Sequence, residues 1–403
     1  MSNYFYHQFF SGLYFFSKVS KFISSKWRMI PLLDRWLFRE LLPPFFFAIS
    51  AFTVVSLSVG VMFDLVRKIV ESGLALKFAL QVFFLKLPSF LVISFPMAIL
   101  MATLLTFSRL SSNSEVKALK SIGISTKRMI VAAITLGLLM TGITFIFNDL
   151  IVPSANKSAE ATLRRGLGVS MHSDYVTDIM YSRFGKIVDP SSNISRDGMT
   201  HLFYAKEFQN KTMIDVTLLD FSRLGYKQML VAKKGYWNNL EANWEFHDGN
   251  ILTIAPNGGS TSISFENYVY PLDSGPKKIA KIPKDANYMT LSDAYKAKDL
   301  YKLSGNLKEV RRMEVRIQEK FTLPMACVVF SLIGSSLACS PNTRSTQGQG
   351  FALSIVLILA YYILSFVFSS LGVSGALSPF VGAWSPVIIS LSGGLYLLNK
   401  ADD

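Results

Sequence analysis

Charge is the scarcest commodity in this 403-residue chain: only 17% of its residues are Asp, Glu, Lys or Arg. Five long stretches contain none at all, namely Leu41–Phe63, Leu87–Ser108, Met129–Asn148, Phe321–Thr343 and Ser345–Asn399. Without ionisable groups at bilayer depth, the proton or ion relay of a coupled transporter has nothing to run on. Cysteine is almost missing as well. Cys327 and Cys339 are the only two and share one apolar stretch. On one helix they stand about 18 Å apart, too far to bridge, so they read as packing residues.

Catalytic signatures are also wanting. No GxxxxGK[S/T] loop occurs, so the chain is not expected to hydrolyse ATP by itself. The four histidines, His7, His172, His201 and His247, show no metal-ligand spacing. There is no GxSxG, and the serines of the apolar stretches have no base beside them. An enzyme is disfavoured, and no cofactor is expected in this chain. If it moves a solute, another subunit supplies the energy.

What is present is hydrophobic. Half the residues are apolar and 13% are aromatic. A helix rises 1.5 Å per residue, so about 20 apolar residues cross a hydrocarbon core of roughly 30 Å. Each of the first four stretches holds one span. The fifth is interrupted by Leu371–Pro379, rich in Gly, Ser and Pro, and folds back as two. The expected fold is a polytopic α-helical membrane protein with six transmembrane helices, three before and three after a polar block. The segments are a cytoplasmic or interfacial stretch at 1–42, spans one to three at 43–150, an extramembrane domain with a return helix at 151–320, and spans four to six at 321–403.

The net charge of +14 mostly flanks the spans, as expected for positive-inside anchoring, and no nucleic-acid motif opposes that reading. The first residues carry aromatics (Tyr4, Phe5, Tyr6, Phe9, Phe10) ahead of cations (Lys18, Lys21, Lys26, Arg28), the reverse of a signal peptide. Pro31–Leu42 reads as an interfacial amphipathic helix, with Leu32, Leu33, Trp36, Leu37 and Leu41 on one face and Arg35 and Arg39 directed to headgroups. Arg109, Lys117, Lys120, Lys127 and Arg128 join the second and third spans, and Arg344 and Lys400 fall on the same side. Lysine and arginine bias therefore places both termini in the cytoplasm and the polar block outside.

Within that block the long apolar runs give way to short β-branched and aromatic segments: Ile179–Val188, His201–Phe208, Met213–Phe221, Lys227–Trp237, Trp244–Ile254 and Thr261–Tyr270. Turn residues punctuate them, which predicts an antiparallel sandwich or roll.

Three sets of residues stand out as candidate sites. Between the second and third spans, Ser112 and Glu115 fit a capping box and Gly123 a helix stop, predicting a short helix at about 111–123 with Val116, Leu119 and Ile122 as an apolar stripe. Glu115 is either a capping carboxylate or an acidic contact for a basic residue of a nucleotide-binding partner. Arg67 and Lys68, one turn past the first span, either snorkel to the interface or meet an anionic headgroup. Arg311, Arg312, Arg316 and Lys320 before the fourth span pose the same choice.

Leu33-Asp34-Arg35-Trp36, Phe63-Asp64-Leu65-Val66-Arg67-Lys68, the segment Ser114–Ser125, Leu291-Ser292-Asp293, Leu303-Ser304-Gly305 and Glu319-Lys320-Phe321-Thr322-Leu323-Pro324 together resemble the LptF/LptG family, permeases of the lipopolysaccharide-export ABC transporter. The resemblance runs from about residue 31 onward, and the aromatic leader departs from it. It implies a periplasmic jellyroll-like domain in a bacterial inner-membrane protein. It also implies a second permease of the same type (or a second copy of this chain), a cytoplasmic ATPase dimer that binds the ATP, and a periplasmic bridge protein receiving lipopolysaccharide. By the same resemblance Glu115, Val116, Leu119 and Ile122 seat in the ATPase, while Arg67, Lys68, Arg311 and Arg312 are the candidate headgroup contacts. A permease for another lipid and a non-transport scaffold are the competing readings.

Overall fold

The computed structural model describes residues 31–168, 176–188, 195–209, 212–238, 241, 243–272, 276, 278, 289–339 and 347–402. The aromatic leader (1–30) and Arg344 lie outside them. Among the described residues, six helices are long and apolar enough to cross a membrane.

Helix α1 (Leu32–Leu57) continues through a π-helical turn at Ser58–Met62 into α2 (Phe63–Ser72). Helix α3 (Leu76–Ser112) returns, the short α4 (Glu115–Ser121) follows, and α5 (Thr126–Ile146) passes through a second π-turn at Phe147–Ile151 into α6 (Val152–Gly166). The unbroken run Thr126–Gly166 has 41 residues. At 1.5 Å per residue it is about 60 Å long, twice the hydrocarbon thickness of roughly 30 Å, so about half of it extends beyond a hydrocarbon core. After the sheet come α7 (Leu291–Leu303), α8 (Leu307–Ala338), α9 (Gln347–Ser374) and α10 (Pro379–Asp402). The break before Pro379 falls where the Gly- and Ser-rich interruption predicts it.

The stretch Pro31–Leu42 is no separate interfacial helix but the opening turns of α1, which runs on through Pro43 and Pro44. Leu37 and Leu41 are buried against the bundle while Leu32 is 75% exposed. Packing on neighbouring helices, rather than a headgroup layer, takes up its apolar face.

Helices α3 and α8 form the centre of the bundle. Small residues let them approach: a Cβ on Gly334 would collide with Thr103 Oγ1 and lie 3.1 Å from the Leu100 carbonyl. Such contacts are how membrane helices associate where no hydrophobic effect separates helix from lipid. Thr103 and Ser335 return their hydroxyls to carbonyls of their own helices, at 2.8 and 2.5 Å. The outer faces of α1 and α9 stay apolar and exposed, as at Phe46, Phe47, Val55, Ile363 and Phe366. At the α4 end, two ion pairs tie the bundle: Arg128 to Asp34, and Arg109 to Glu40.

The inserted domain is a six-stranded antiparallel sheet, β1 (Val176–Val188), β2 (Ser195–Gln209), β3 (Thr212–Asp220), β4 (Lys227–Asn238), β5 (Asn243–Ile254) and β6 (Ser260–Tyr270), each strand paired with its sequence neighbours. Its core faces inward with Phe203, Trp244, Phe246, Met213 and Val216 fully buried. The sheet curls strongly. Tyr270 on β6 reaches Asp220 on β3 and His201 on β2, residues that a flat sheet at 4.8 Å per strand would hold about 14–19 Å away.

The domain rests on the turn between α7 and α8. The Phe184 amide donates to the Ser304 carbonyl at 2.8 Å, and the Asn306 side-chain amide donates to Ser182 Oγ at 3.1 Å. Asn306 also caps α8 by accepting from the Glu309 amide. Between them Gly305 has φ +72°, and a Cβ there would stand 2.8 Å from the Phe184 carbonyl, so glycine is required both by conformation and by space.

Candidate functional site

At the sheet end of the bundle the helices part around a cavity of about 650 Å³. Both π-turns border it, through Gly60 and Val61 on one side and Asn148 on the other. A π-turn widens the helix by one residue and often marks a functional site. Val82, Phe90, Val92, Ile93, Met97 and Leu323 make apolar walls, and Lys68, Lys86, Arg316 and Lys320 supply cations, opposed by Asp64, Glu160 and Glu319. The arrangement suits an amphiphile, with apolar surface for chains and a cationic excess for an anionic head.

Several cations are held by carboxylates. Lys68 Nζ lies 2.7 Å from Asp64, one turn earlier on the same helix. Arg316 lies 2.7 Å from Glu319, whose other oxygen accepts from Ser369 of α9 at 2.7 Å. Lys320, with its side chain only 11% exposed, stands 3.5 Å from Asp149 and donates to the Asn148 carbonyl at 3.2 Å. Ser89 donates to Asn156 at 3.0 Å across the α3–α6 contact.

Of the cations the sequence raises as headgroup contacts, Lys68, Arg316 and Lys320 line the cavity, whereas Arg67, Arg311 and Arg312 do not. Arg67 points outward from α2, exposed. Arg311 Nε donates to the Val373 carbonyl at 3.2 Å and so closes the last turn of α9. Arg312 is exposed beside Glu309 at 3.5 Å. Sequence reasoning passed over Lys86, Asp149 and Glu160 as site residues. A signal was present: Asp64, Lys86, Asp149 and Lys320 each directly flank a charge-free stretch at the same end of the bundle. Their common depth follows from that position.

At the opposite end α4 is shorter than its predicted limits. Ser112 is the last residue of α3 and donates to the Arg109 carbonyl, so it forms no capping box with Glu115. Ser114 precedes α4 in a left-handed conformation (φ 61°), and the Asn113 side chain donates to Glu115 at 3.2 Å instead. The helix stops at Gly123 (φ +87°), where the Ile124 amide reaches the Leu119 carbonyl at 3.1 Å and the Gly123 amide that of Lys120 at 3.0 Å. Ser125 then caps α5 by accepting from the Arg128 amide.

The apolar stripe of α4 is divided. Val116 is buried and Leu119 packs on the bundle core, while Ile122 is 73% exposed and Glu115 half-buried. Two residues attach the helix and two remain presented. Lys120 Nζ donates to the Ala401 carbonyl in the last turn of α10 at 2.7 Å, and Thr126 donates to the same oxygen at 3.1 Å.

Six spans in two groups of three, an inserted β domain, an apolar cavity rimmed by cations at one end and a presented helix at the other give the architecture of a polytopic membrane permease. A family model described as the lipopolysaccharide export system permease LptF/LptG matches residues 35–400. The chain belongs to that family and is a permease of the lipopolysaccharide-export type. It is 20% identical over 389 residues to the lipopolysaccharide export system permease protein LptG of Haemophilus influenzae, covering 93% of this chain and 100% of that one.

Proposed function

We propose that this chain is a permease subunit of a lipopolysaccharide-exporting ABC transporter, drawing its energy from a separate cytoplasmic ATPase. It sits in the bacterial inner membrane with both termini and α4 in the cytoplasm and the sheet in the periplasm. A second permease of the family, or a second copy of this chain, completes the assembly across the exposed faces of α1 and α9. Lipopolysaccharide enters from the membrane, lodges its anionic head among Lys68, Lys86, Arg316 and Lys320, and leaves by way of the β domain to a periplasmic bridge protein. Arg67, exposed one residue before Lys68, meets headgroups on approach.

The observation that carries this reading is the separation of two features along one bundle: a cation-rimmed apolar cavity at the sheet end and the presented helix α4 at the other. Removing acyl chains from a bilayer exposes CH₂ groups at roughly 0.8 kcal/mol each, which a passive channel cannot supply for several chains. Glu115 and Ile122 provide the contact to the ATPase, and Val116 and Leu119 transmit it into the bundle.

Purification from native membranes in mild detergent, with mass spectrometry of proteins and lipids, tests the reading. An ATPase and lipopolysaccharide should accompany the wild-type chain, and Glu115→Arg should shed the ATPase while retaining the lipid. A chain that carries only bulk phospholipid and no ATPase, across several detergents, overturns it.

A further inference from the structure

The cavity and the β domain are joined by a continuous line of bonds that passes through one carboxylate. Asp149 sits in the π-turn of the third span and accepts the Leu291 backbone amide at 2.7 Å, at the first turn of α7. The same oxygen faces Lys320 Nζ at 3.5 Å. Helix α7 is fixed further by a capping box between Thr290 and Asp293, and Asp293 takes Lys157 of α6 at 3.5 Å. Its far end delivers Ser304, Gly305 and Asn306, which form the seat of β1. Every step is a named bond between a cavity-lining cation and the sheet.

We infer that Asp149 is a positioning residue that makes the seat of the β domain respond to an anion in the cavity. The inference rests on the headgroup reading of the cavity given above. Empty, the cavity leaves Lys320 to neutralise Asp149, and the half-buried carboxylate stays in place on the Leu291 amide. An anionic headgroup that takes Lys320 leaves Asp149 beside a second negative charge with one hydrogen bond and little water. A half-buried carboxylate flanked in this way turns outward to water and releases the first turn of α7. The turn at 304–306 then loosens against β1. Occupancy of the cavity is thereby signalled to the domain that receives the lipid, without any movement of the ATPase.

Hydrogen–deuterium exchange on the full chain, purified with its accompanying subunits, tests this directly with lipid A as the probe. Lipid A should speed exchange at the amides of 291–294 and at Phe184 by about tenfold, the scale of losing one charge-assisted hydrogen bond. Asp149→Ala, which removes the acceptor of the Leu291 amide, should show the faster exchange without lipid and change little on adding it. Asp149→Asn, which keeps an acceptor but carries no charge to be repelled, should stay slow with and without lipid. Lys320→Gln should mimic the lipid-bound state, and it keeps the test intact if Asp149→Ala fails to fold. Slow, wild-type exchange in lipid-free Asp149→Ala or Lys320→Gln overturns the inference, as does an undiminished lipid response in Asp149→Asn. Lipid binding is read separately by mass spectrometry of the same samples. A wild-type chain that binds no lipid A refutes the headgroup reading, whereas binding without a change in exchange refutes only the role of Asp149.

Discussion

The Tyr270 hydroxyl donates to Asp220 Oδ2 at 2.6 Å, although two strands, β4 and β5, separate their own strands in the sheet. His201 Nε2 completes the group, 3.1 Å from the same hydroxyl. This polar cluster closes the curl of the β domain and makes its interior concave.

Removing the bond should loosen the curl. Tyr270→Phe is expected to destabilise the domain by roughly 1.5–3 kcal/mol, the range for a hydrogen bond to a charged group. Faster amide exchange in β2 and β6 of the full chain, with α3 unchanged, is the readout. An unaltered β6 would show that packing alone holds the curl.

Acid should act through the same cluster. Burial works against the charge of Asp220, but hydrogen bonds from Tyr270 and Ser222 and the nearby His201 outweigh it and hold its pKa below the ordinary value. A lowered pKa contributes stability above the unfolded value, about 3.9, and that stability is lost as pH falls through the folded one. Protection in β3 and β6 should therefore hold from pH 7 to about 4 and decline below it, and Asp220→Asn should flatten that decline. Burial and Asp220 raise the Tyr270 pKa, so its own contribution persists below about 10 and is lost only at higher pH.

Arg128 grips Asp34 with both terminal nitrogens, at 2.5 and 2.8 Å, joining the first span to the third. A double-mutant cycle with Arg128→Gln and Asp34→Asn, read as thermal unfolding in detergent, should give a coupling energy of about 1 kcal/mol. Additive single effects would make the pair a surface contact without consequence.

Lys120 links α4 to α10 through the Ala401 carbonyl. On the function proposed above, Lys120→Met should leave the partner ATPase bound but weaken the stimulation of its hydrolysis by lipopolysaccharide. If stimulation survives intact, Val116 and Leu119 alone carry the connection into the bundle.

The close approach of α3 and α8 leaves no room at Gly334. Gly334→Ala should cost about 1–3 kcal/mol by overpacking, lowering the thermal midpoint in detergent. Adding Thr103→Ala should restore part of the loss, because the colliding oxygen is then gone. A double variant no better than Gly334→Ala would place the strain at the Leu100 carbonyl.

The architecture was legible in the residues because the bilayer imposes a one-dimensional rule. A span must be long, apolar and helical, so Leu41–Phe63 and its counterparts announce themselves without knowledge of their neighbours. The six strands were visible for a similar reason, since β-branched runs bounded by turn residues are local. Gly123 ended α4 as its position foretold, because a left-handed stop is also a local matter.

Convergence is not local. Lys68 and Lys320 lie far apart in the chain, and nothing in either neighbourhood says that they border one cavity while Arg67 and Arg311 do not. That depends on the rotation of each helix about its axis, set by contacts such as Gly334 on Thr103, and one residue of sequence corresponds to about 100° of rotation. The curl that carries Tyr270 to Asp220 has the same origin, since pairing between neighbours specifies strand order but not the bend of the whole sheet. Composition and charge spacing announced six spans and a β domain, and the family resemblance added the permease. Which side chains share a space was settled by packing, because that geometry is a property of several elements at once.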